Sequence, residues 1–364
     1  MRTRPLVLLT ALFSLLAAAF VGTTAPASAA TADRWGFAYV QDPTVPVWTT
    51  LDTTRQWGSW KAAAPLAWAD GIKVTPGRFL VRFPGIGTGS RGVVHVTPVN
   101  RTGHYCEAVR WYQSGADQIV DVQCHKPGGG WDDSPFTVLW TLSSGVLLAG
   151  VGSHAYLQYG AGGIVQAYNS TGGGVSVTPG GVGQYQVKLG SVGLAGVLAG
   201  NVQVTAVQPN AQARRCKVYH WYASGPDVIV HVFCHDLAGT PINSEFTLSY
   251  HRQRAVFGDF GPPKYFGYLA TAAGGPTNYN HPVGVGVNSV GPVAPAGRYL
   301  VTYPQLAQKE THAQVTAQGS GSYYCNLTGP WSFVGVDAQV DVLCFDNAGV
   351  PTPHGFLSTF SSRI

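Results

Sequence analysis

The sequence has few charged residues and almost no methionine. Of its 364 residues, 11% are Asp, Glu, Lys or Arg, and Met occurs once. Helical bundles and coiled coils are rich in Ala, Glu, Lys and Leu, so this composition excludes them. The 47 glycines follow no Gly-X-Y period, which excludes a collagen-like chain. Because 45% of the residues are hydrophobic and 12% are aromatic, the chain can bury a core. A β-rich globular protein with many Gly and Pro turns remains.

Long hydrophobic runs are missing after the first 30 residues. The one extended apolar run covers residues 6–21, follows Arg2 and Arg4, and precedes the small-residue site at 27–29. This pattern predicts a secretory signal peptide over residues 1–30, and its length disfavours the alternative of an uncleaved membrane anchor. We therefore expect a secreted protein with no membrane span after cleavage. Export also permits disulfides.

Strong charge and catalytic motifs are absent as well. Removing Arg2 and Arg4 with the signal lowers the formal net charge from +5 to +3, which is too small for a nucleic-acid-binding surface. The sequence contains no HExxH, CxxC or GxSxG motif. His231 and His235 would lie about 13 Å apart on a strand, too far to share a metal ion. We therefore expect no catalytic residue, no metal site and no cofactor.

Six cysteines divide the chain into three similar parts. The members of each pair are separated by 18, 18 and 19 residues, and the pairs are Cys106/Cys124, Cys216/Cys234 and Cys325/Cys344. Five or six residues after the first Cys of each pair, a Trp begins a W-x-x-x-G-x-D motif, and the second Cys follows the Asp by seven residues. The motif residues are Trp111, Trp221 and Trp331, with Asp117, Asp227 and Asp337.

Further residues recur in the same register. Each part has a Gly-x-aromatic-x-Val segment, at 77–81, 183–187 and 297–301, and a Val-Thr-like strand that ends at Thr97, Thr205 or Thr316. The chain is therefore predicted to contain three diverged tandem copies of one module, each of domain size. We call residues 31–143 copy one, 144–251 copy two and 252–364 copy three. Copy one carries a Trp-rich insertion at 41–70.

Alternation of apolar and polar residues predicts strands with one buried face. It is clearest in the segments 120–124, 230–234 and 340–344, which end at the second Cys of each copy. Six or seven such strands per copy, separated by turn residues, favour a sandwich or a jelly roll. The predicted fold is all-β: three tandem antiparallel β-sandwich or jelly-roll-like modules, each with one cross-strand disulfide.

The cysteine spacing fits one hairpin per copy. In copies one and two the midpoint between the cysteines is Gly115 or Gly225, the Gly of the W-x-x-x-G-x-D motif. A turn at that Gly places the two cysteines opposite each other. In copy three we expect one extra residue to bulge near Gly329-Pro330, because Pro cannot donate to a strand ladder. Of the 15 possible pairings of six cysteines, the repeat selects the pairing within each copy.

The recurring Trp and Asp residues admit a structural and a functional interpretation. Acid–base catalysis by the Asp residues is disfavoured, since no second carboxylate recurs with them at a fixed spacing. We expect each Asp to close its own turn. We expect each Trp to pack over the hairpin or its disulfide rather than stack on a ligand.

The insertion at 41–70 supplies the candidate ligand-binding residues, Trp57 and Trp60. It lies outside the repeat, and exposed indole rings can stack on sugars or insert into a protein partner. The alternative is an extra strand whose Trp rings point inward, because Trp is usually well buried.

The order of these motifs resembles tandem-repeat β-modules of secreted actinobacterial proteins. Copy two fits best, with Cys216-Lys217-Val218 and Phe246-Thr247, whereas copy three departs at Leu327 and Leu357. The resemblance covers nearly all of residues 33–364. It implies an exported β-module and brings no known activity and no functional residues.

Repetition without a constant catalytic set favours a secreted, non-enzymatic binding or structural protein. A linear array of copies would present equivalent surfaces at a fixed spacing, to a polysaccharide or a cell-surface protein. A second hypothesis is a carbohydrate-binding protein that uses Trp57 and Trp60. A third, a secreted enzyme or enzyme inhibitor, is disfavoured because the His residues are scattered over all three copies.

Overall fold

Short β-strands joined by turns make up nearly all of the regular structure, as the composition predicts. The computed structural model describes residues 33–147, 152–210, 212–258, 264–271 and 277–364. The signal peptide predicted over 1–30 lies outside these residues. The all-β prediction is confirmed, since the described residues form 27 strands in four sheets and two short 3-10 turns, Ser59–Ala62 and Gly196–Leu198. In the described ranges no helix is long and apolar enough to span a membrane.

Copy one contributes nine strands. They are β1 (Arg34–Val40), β2 (Thr49–Thr50), β3 (Trp57–Gly58), β4 (Asp70–Thr75), β5 (Arg78–Phe83), β6 (Val93–Pro98), β7 (Tyr105–Ser114), β8 (Asp117–His125) and β9 (Phe136–Leu142). Copy two contributes eight. They are β10 (Ser153–Gly160), β11 (Gly163–Asn169), β12 (Val175–Pro179), β13 (Gln184–Leu189), β14 (Asn201–Val207), β15 (Arg215–Ser224), β16 (Asp227–His235) and β17 (Glu245–Arg252).

Copy three contributes ten strands, two of which replace the single long strand that contains the first Cys in the other copies. They are β18 (Phe266–Ala270), β19 (Asn278–Asn280), β20 (Gly284–Val285), β21 (Ser289–Val293), β22 (Arg298–Tyr303), β23 (Thr311–Gln318), β24 (Tyr324–Leu327), β25 (Ser332–Val334), β26 (Asp337–Phe345) and β27 (Gly355–Ser362).

Two of the four sheets combine strands from adjacent copies. The strand orders are β3-β1-β9-β6, β11-β10-β17-β14-β7-β8-β5-β4-β2, β12-β13-β16-β15-β23-β27-β18-β19-β20 and β21-β22-β26-β24, with β25 also paired to β26. Strands pair antiparallel within each copy, and the two junctions between copies, β14–β7 and β15–β23, are parallel. The result is a β-sandwich-like fold in which neighbouring copies share sheets.

The predicted disulfides are present. Cys106 faces Cys124, Cys216 faces Cys234 and Cys325 faces Cys344, with Cα–Cα distances of 4.1, 4.1 and 3.9 Å. All six cysteines are bridged. The pairing within each copy, which the repeat selects, is therefore confirmed.

The hairpin turns differ slightly from the prediction. A bulge in β7 and in β15 shifts the register by one residue, so the turns fall on Gly115-Ala116 and Gly225-Pro226. Both glycines have a positive φ, +60° and +59°, which explains why Gly recurs there. In copy three the ladder is interrupted between β24 and β25, where Gly329-Pro330 lies. The shift there is two residues, one more than in the other copies, which confirms the predicted extra residue.

Six central strands are buried on both faces, whereas the alternating pattern predicts strands with one buried face. They are β6, β9, β14, β17, β23 and β27. On β6, for example, Val94 and Val96 point into the apolar core of copy one, while His95 and Thr97 are buried on the opposite side. The polar faces of the six strands meet, and we call this cluster the polar centre. It contains His95, Thr97, Thr137, Gln203, Thr205, Ser249, His251, His312, Gln314, Thr316 and Thr359.

The threonines that end the recurring Val-Thr strands connect the three copies in a cycle. Each hydroxyl accepts a hydrogen bond from a backbone amide of another copy: Val96 N to Thr205 Oγ1 (3.1 Å), Val204 N to Thr316 Oγ1 (3.1 Å) and Val315 N to Thr97 Oγ1 (3.3 Å). Backbone bonds repeat the cycle: Gln208 N to Ala108 O (2.8 Å), Gly319 N to Val218 O (3.0 Å) and Asn100 N to Leu327 O (2.7 Å). Copy three therefore contacts copy one, and the expectation of a linear array is wrong.

Three histidines of the polar centre follow the same cycle. His95 Nε2 lies 2.7 Å from Ser249 Oγ, His251 Nε2 lies 3.2 Å from Thr359 Oγ1, and His312 Nδ1 lies 2.9 Å from Thr137 Oγ1. Burial lowers the pKa of His95 and of His251 to about 3 and that of His312 to about 4. All three are therefore neutral at pH 7 in the folded protein.

These histidines predict acid lability. An unfolded His takes up a proton near pH 6.5, whereas the folded His does so only near pH 3 to 4, so stability falls as the pH drops through that window. The three together should lower the free energy of unfolding by about 4 kcal/mol per pH unit near pH 5. Urea denaturation between pH 7 and pH 4.5 measures this slope. His251→Gln should reduce the slope by about 1.4 kcal/mol per pH unit, the contribution of one histidine, and an unchanged slope would contradict a buried neutral His251.

Candidate functional site

Trp57 lies on β3 at the edge of the four-stranded sheet, where it pairs with Phe37 of β1. Its ring is half-buried. Lys61 Nζ lies 4.8 Å and the Arg363 guanidinium carbon 4.6 Å from the ring centroid, and the Trp68 ring stands edge-on at 6.3 Å. These contacts leave part of the Trp57 ring exposed beside two cations.

Trp60, the second predicted ligand-binding residue, is a core residue. Its side chain is 2% exposed, its ring stacks on Phe83 with centroids 5.7 Å apart, and its Nε1 donates to Ala67 O at 3.1 Å. A Cβ at Gly36 would lie 2.6 Å from this ring, so the strand needs Gly there to admit it. Trp57 and Trp60 therefore do not form an exposed pair, and for Trp60 the inward-pointing alternative is correct.

The recurring Asp residues hold a neighbouring loop, which differs from the expected closure of their own turns. Asp117 Oδ1 accepts from Gly85 N at 2.9 Å, Asp227 Oδ1 from Ser191 N at 2.9 Å and Asp337 Oδ1 from Gln305 N at 3.0 Å. The Lys188 ammonium and this amide bond lower the pKa of Asp227. The same bond in three copies indicates a structural role for the three carboxylates.

The recurring Trp residues lie in the apolar cores. Trp111, Trp221 and Trp331 are 3%, 7% and 1% exposed, and each belongs to the buried cluster that also contains its copy's disulfide. Their rings are therefore unavailable for stacking on a ligand.

A face of stacked rings on copy two is the strongest surface feature that the sequence reasoning missed. The rings of Tyr219 and Phe233 are parallel within 5° with centroids 4.5 Å apart, and those of His220 and His231 lie 4.1 Å apart at 20°. Tyr222, 42% exposed, extends the second stack. We call these five residues the aromatic face. Burial lowers the pKa of His220 and His231, so the face is uncharged at pH 7.

The aromatic face is specific to copy two. The position of His231 is occupied by Asp121 in copy one and Asp341 in copy three, where each carboxylate forms an ion pair with Arg78 or Arg298. Copy two has replaced this ion pair with rings. The difference between copies is the sequence signal that could have revealed the face.

A groove of about 350 Å³ runs beside the aromatic face. It is lined by Thr178, Gln184, Gln186, Tyr219, His231 and Phe233, among others. Ring faces next to neutral amides and a hydroxyl can bind the apolar face and the hydroxyl groups of a sugar. No group of three or more His, Cys, Asp or Glu among the described residues could hold a metal ion.

Comparisons with known proteins give no family for this chain. Protein-family models, curated protein sequences and solved structures all give no match.

Truncation of the two candidate tryptophans should lower the free energy of unfolding by different amounts. Trp60→Ala removes a fully buried ring and should lower the free energy of unfolding by about 3–5 kcal/mol. Trp57→Ala should lower it by less than half as much, because its ring is only half-buried. Urea denaturation measures both, with Trp48→Ala, whose ring is 40% exposed, as the control. Equal losses of unfolding free energy in Trp57→Ala and Trp60→Ala would contradict the different burial of the two rings.

Proposed function

We propose that the chain is a secreted, non-enzymatic binding or structural protein whose three β-sandwich copies close into one ring. The observation that carries this proposal is that the repeated residues have structural roles. The recurring Asp residues hold loops, the recurring Trp residues fill cores, and the recurring Thr residues join copies. Among the described residues, the polar groups common to all three copies are thus engaged in building the fold.

Secretion is supported by the disulfides. All six cysteines are bridged, and stable disulfides are typical of proteins that fold in oxidising compartments. Together with the apolar N-terminal run of the sequence, this favours an extracellular protein.

Carbohydrate binding is the second candidate, and one observation favours it. The aromatic face and its groove offer uncharged rings and amides at the surface of copy two. Because Trp60 is buried, Trp57 is the one of the two predicted tryptophans that keeps part of its ring at the surface. The proposed sugar-binding residues are therefore Tyr219 and Phe233, with Trp57 as a separate possible contact.

Binding of the purified protein to insoluble cellulose, chitin and xylan tests this second candidate. Stacked rings contribute about 1 kcal/mol each to such contacts, so Phe233→Ala and Tyr219→Ala should each weaken binding by roughly fivefold. Tyr112→Ala, which truncates the copy-one counterpart of Tyr222, is the matched control and should bind as the wild type does. Unchanged binding by Phe233→Ala would contradict the proposed face.

The same preparations test the absence of enzymatic activity. We expect no turnover when the protein is incubated with glycan, ester and peptide substrates. Hydrolysis that co-purifies with the protein would contradict the non-enzymatic proposal, whether or not the protein binds a polysaccharide.

A further inference from the structure

A small cavity lies where all three copies meet. Its volume is about 60 Å³, and it is lined by the residues next to the first Cys of each pair, including Tyr105, Arg215, Lys217 and Tyr324. The positions that precede this Cys hold Tyr105, Arg215 and Tyr324, so they correspond in the repeat. The Arg215 guanidinium carbon lies 5.0 Å from the Tyr105 ring centroid and 4.5 Å from that of Tyr324.

Two cations at this cavity are buried without a carboxylate partner. Arg215 is 8% exposed and Lys217 is 4% exposed. Arg215 Nη2 donates to Asn347 Oδ1 at 2.8 Å and to two backbone carbonyls, and Lys217 Nζ donates to Ser320 O at 3.1 Å and to His354 Nε2 at 2.8 Å. Within the described residues, neither forms a salt bridge. Buried charges are normally paired, because an unpaired charge is expensive to desolvate.

Several donors at the cavity also lack an acceptor. Tyr105 Oη, Arg214 Nε and Arg215 Nε are buried and have no hydrogen-bond partner among the described residues. Lys217 has three ammonium donors, of which the two bonds above use two. Burial raises the pKa of Tyr105, so its hydroxyl keeps its proton and can donate. Buried donors without acceptors call for a bound acceptor.

The nearby carboxylates are engaged elsewhere. Glu107 accepts from Gln123 Nε2 at 2.7 Å and from the Arg214 backbone amide at 2.9 Å, and its Oε1 lies 3.3 Å from His125 Nε2. Burial also raises the pKa of Glu107, which disfavours its charged form. Asp236 attracts Arg215 electrostatically but lies beyond salt-bridge distance. No acidic residue belongs to the described lining of the cavity.

We propose that this cavity binds a small inorganic anion of about the size of chloride, held by Lys217 and Arg215 with Tyr105 as a neutral donor. The small volume of the cavity and the donors that surround it fit an ion of this size. The bound anion offsets one of the two unpaired positive charges and contacts a cavity that all three copies line. This site is independent of the sugar-binding candidate, which lies on the outer surface of copy two.

Anion binding should depend on the protonation of Lys217. Burial, with a smaller contribution from the Arg215 charge, lowers the pKa of Lys217 to about 7. The other titratable groups near it are His354 and His235, both neutral at pH 7 with a pKa of about 4, and the ring of Tyr323 at 5.7 Å. As the pH rises from 6 to 9, Lys217 therefore loses its charge and the anion should be released.

Thermal unfolding of the full chain at constant ionic strength tests the proposal, with sodium chloride exchanged for sodium gluconate. A ligand that binds only the folded state raises Tm in a saturable way. We expect such a rise with chloride at pH 6, and a midpoint roughly a hundredfold higher in chloride at pH 9, where about 1% of Lys217 is protonated. Lys217→Met keeps the apolar stem and should abolish the rise, whereas Lys188→Met, on the surface of β13, should keep it.

The outcomes are distinct. A saturable, pH-dependent rise in wild type that Lys217→Met lacks supports the site, as does an anomalous bromide peak in the cavity of crystals grown in bromide. No chloride dependence in the wild type would overturn the proposal and indicate that water fills the cavity. An equal rise in Lys217→Met would also overturn it. If Lys217→Met does not fold, the wild-type pH dependence and the bromide peak decide the question.

Discussion

A backbone amide that is buried away from water must find an acceptor, and in this protein three such amides find theirs on a different copy. The amides of Val96, Val204 and Val315 donate to threonine hydroxyls of the next copy in the cycle. An unsatisfied buried amide costs about 1–3 kcal/mol. A single copy therefore cannot bury its central strands and also provide these amides with hydrogen-bond acceptors. The polar centre thus requires all three copies together, and the parallel pairings of β14 with β7 and of β15 with β23 join copies a second time.

Each copy is specified locally by devices that repeat almost unchanged. The disulfide, the glycine turn and the Asp-to-loop hydrogen bond occur in all three copies with nearly identical geometry. The residue after the first Cys behaves differently, since it is Glu107, Lys217 or Asn326, and each contacts the next copy. The residues that build each copy are therefore repeated, whereas the residues at the contacts between copies vary. The cationic cavity lies where copies meet, whereas the aromatic face lies on the outer surface of copy two, at other positions where the copies differ.

Sequence patterns predicted what depends on neighbours in the chain and missed what depends on distant residues. The cysteine spacing predicted the disulfide pairing, because a hairpin places two residues at equal distances from its turn opposite each other. On β6, alternation of apolar and polar residues cannot distinguish a polar side chain in water from His95, which contacts Ser249 and Thr205 more than a hundred residues away. The burial of Trp60 was not predicted, because a short insertion has no regular apolar–polar alternation that indicates which way a ring points. The aromatic face was not predicted, because the repeat is defined by residues on which the copies agree and the face is built mostly from residues on which they differ.

Native-state hydrogen exchange at the amides of Val96, Val204 and Val315 tests the central claim most directly. If the three copies form one cooperative unit, these amides exchange only through global unfolding, with one common free energy that matches denaturant unfolding. If any one of them exchanges through a local opening about 2 kcal/mol or more below that value, its copy opens independently, and the account of a closed, mutually dependent polar centre is wrong.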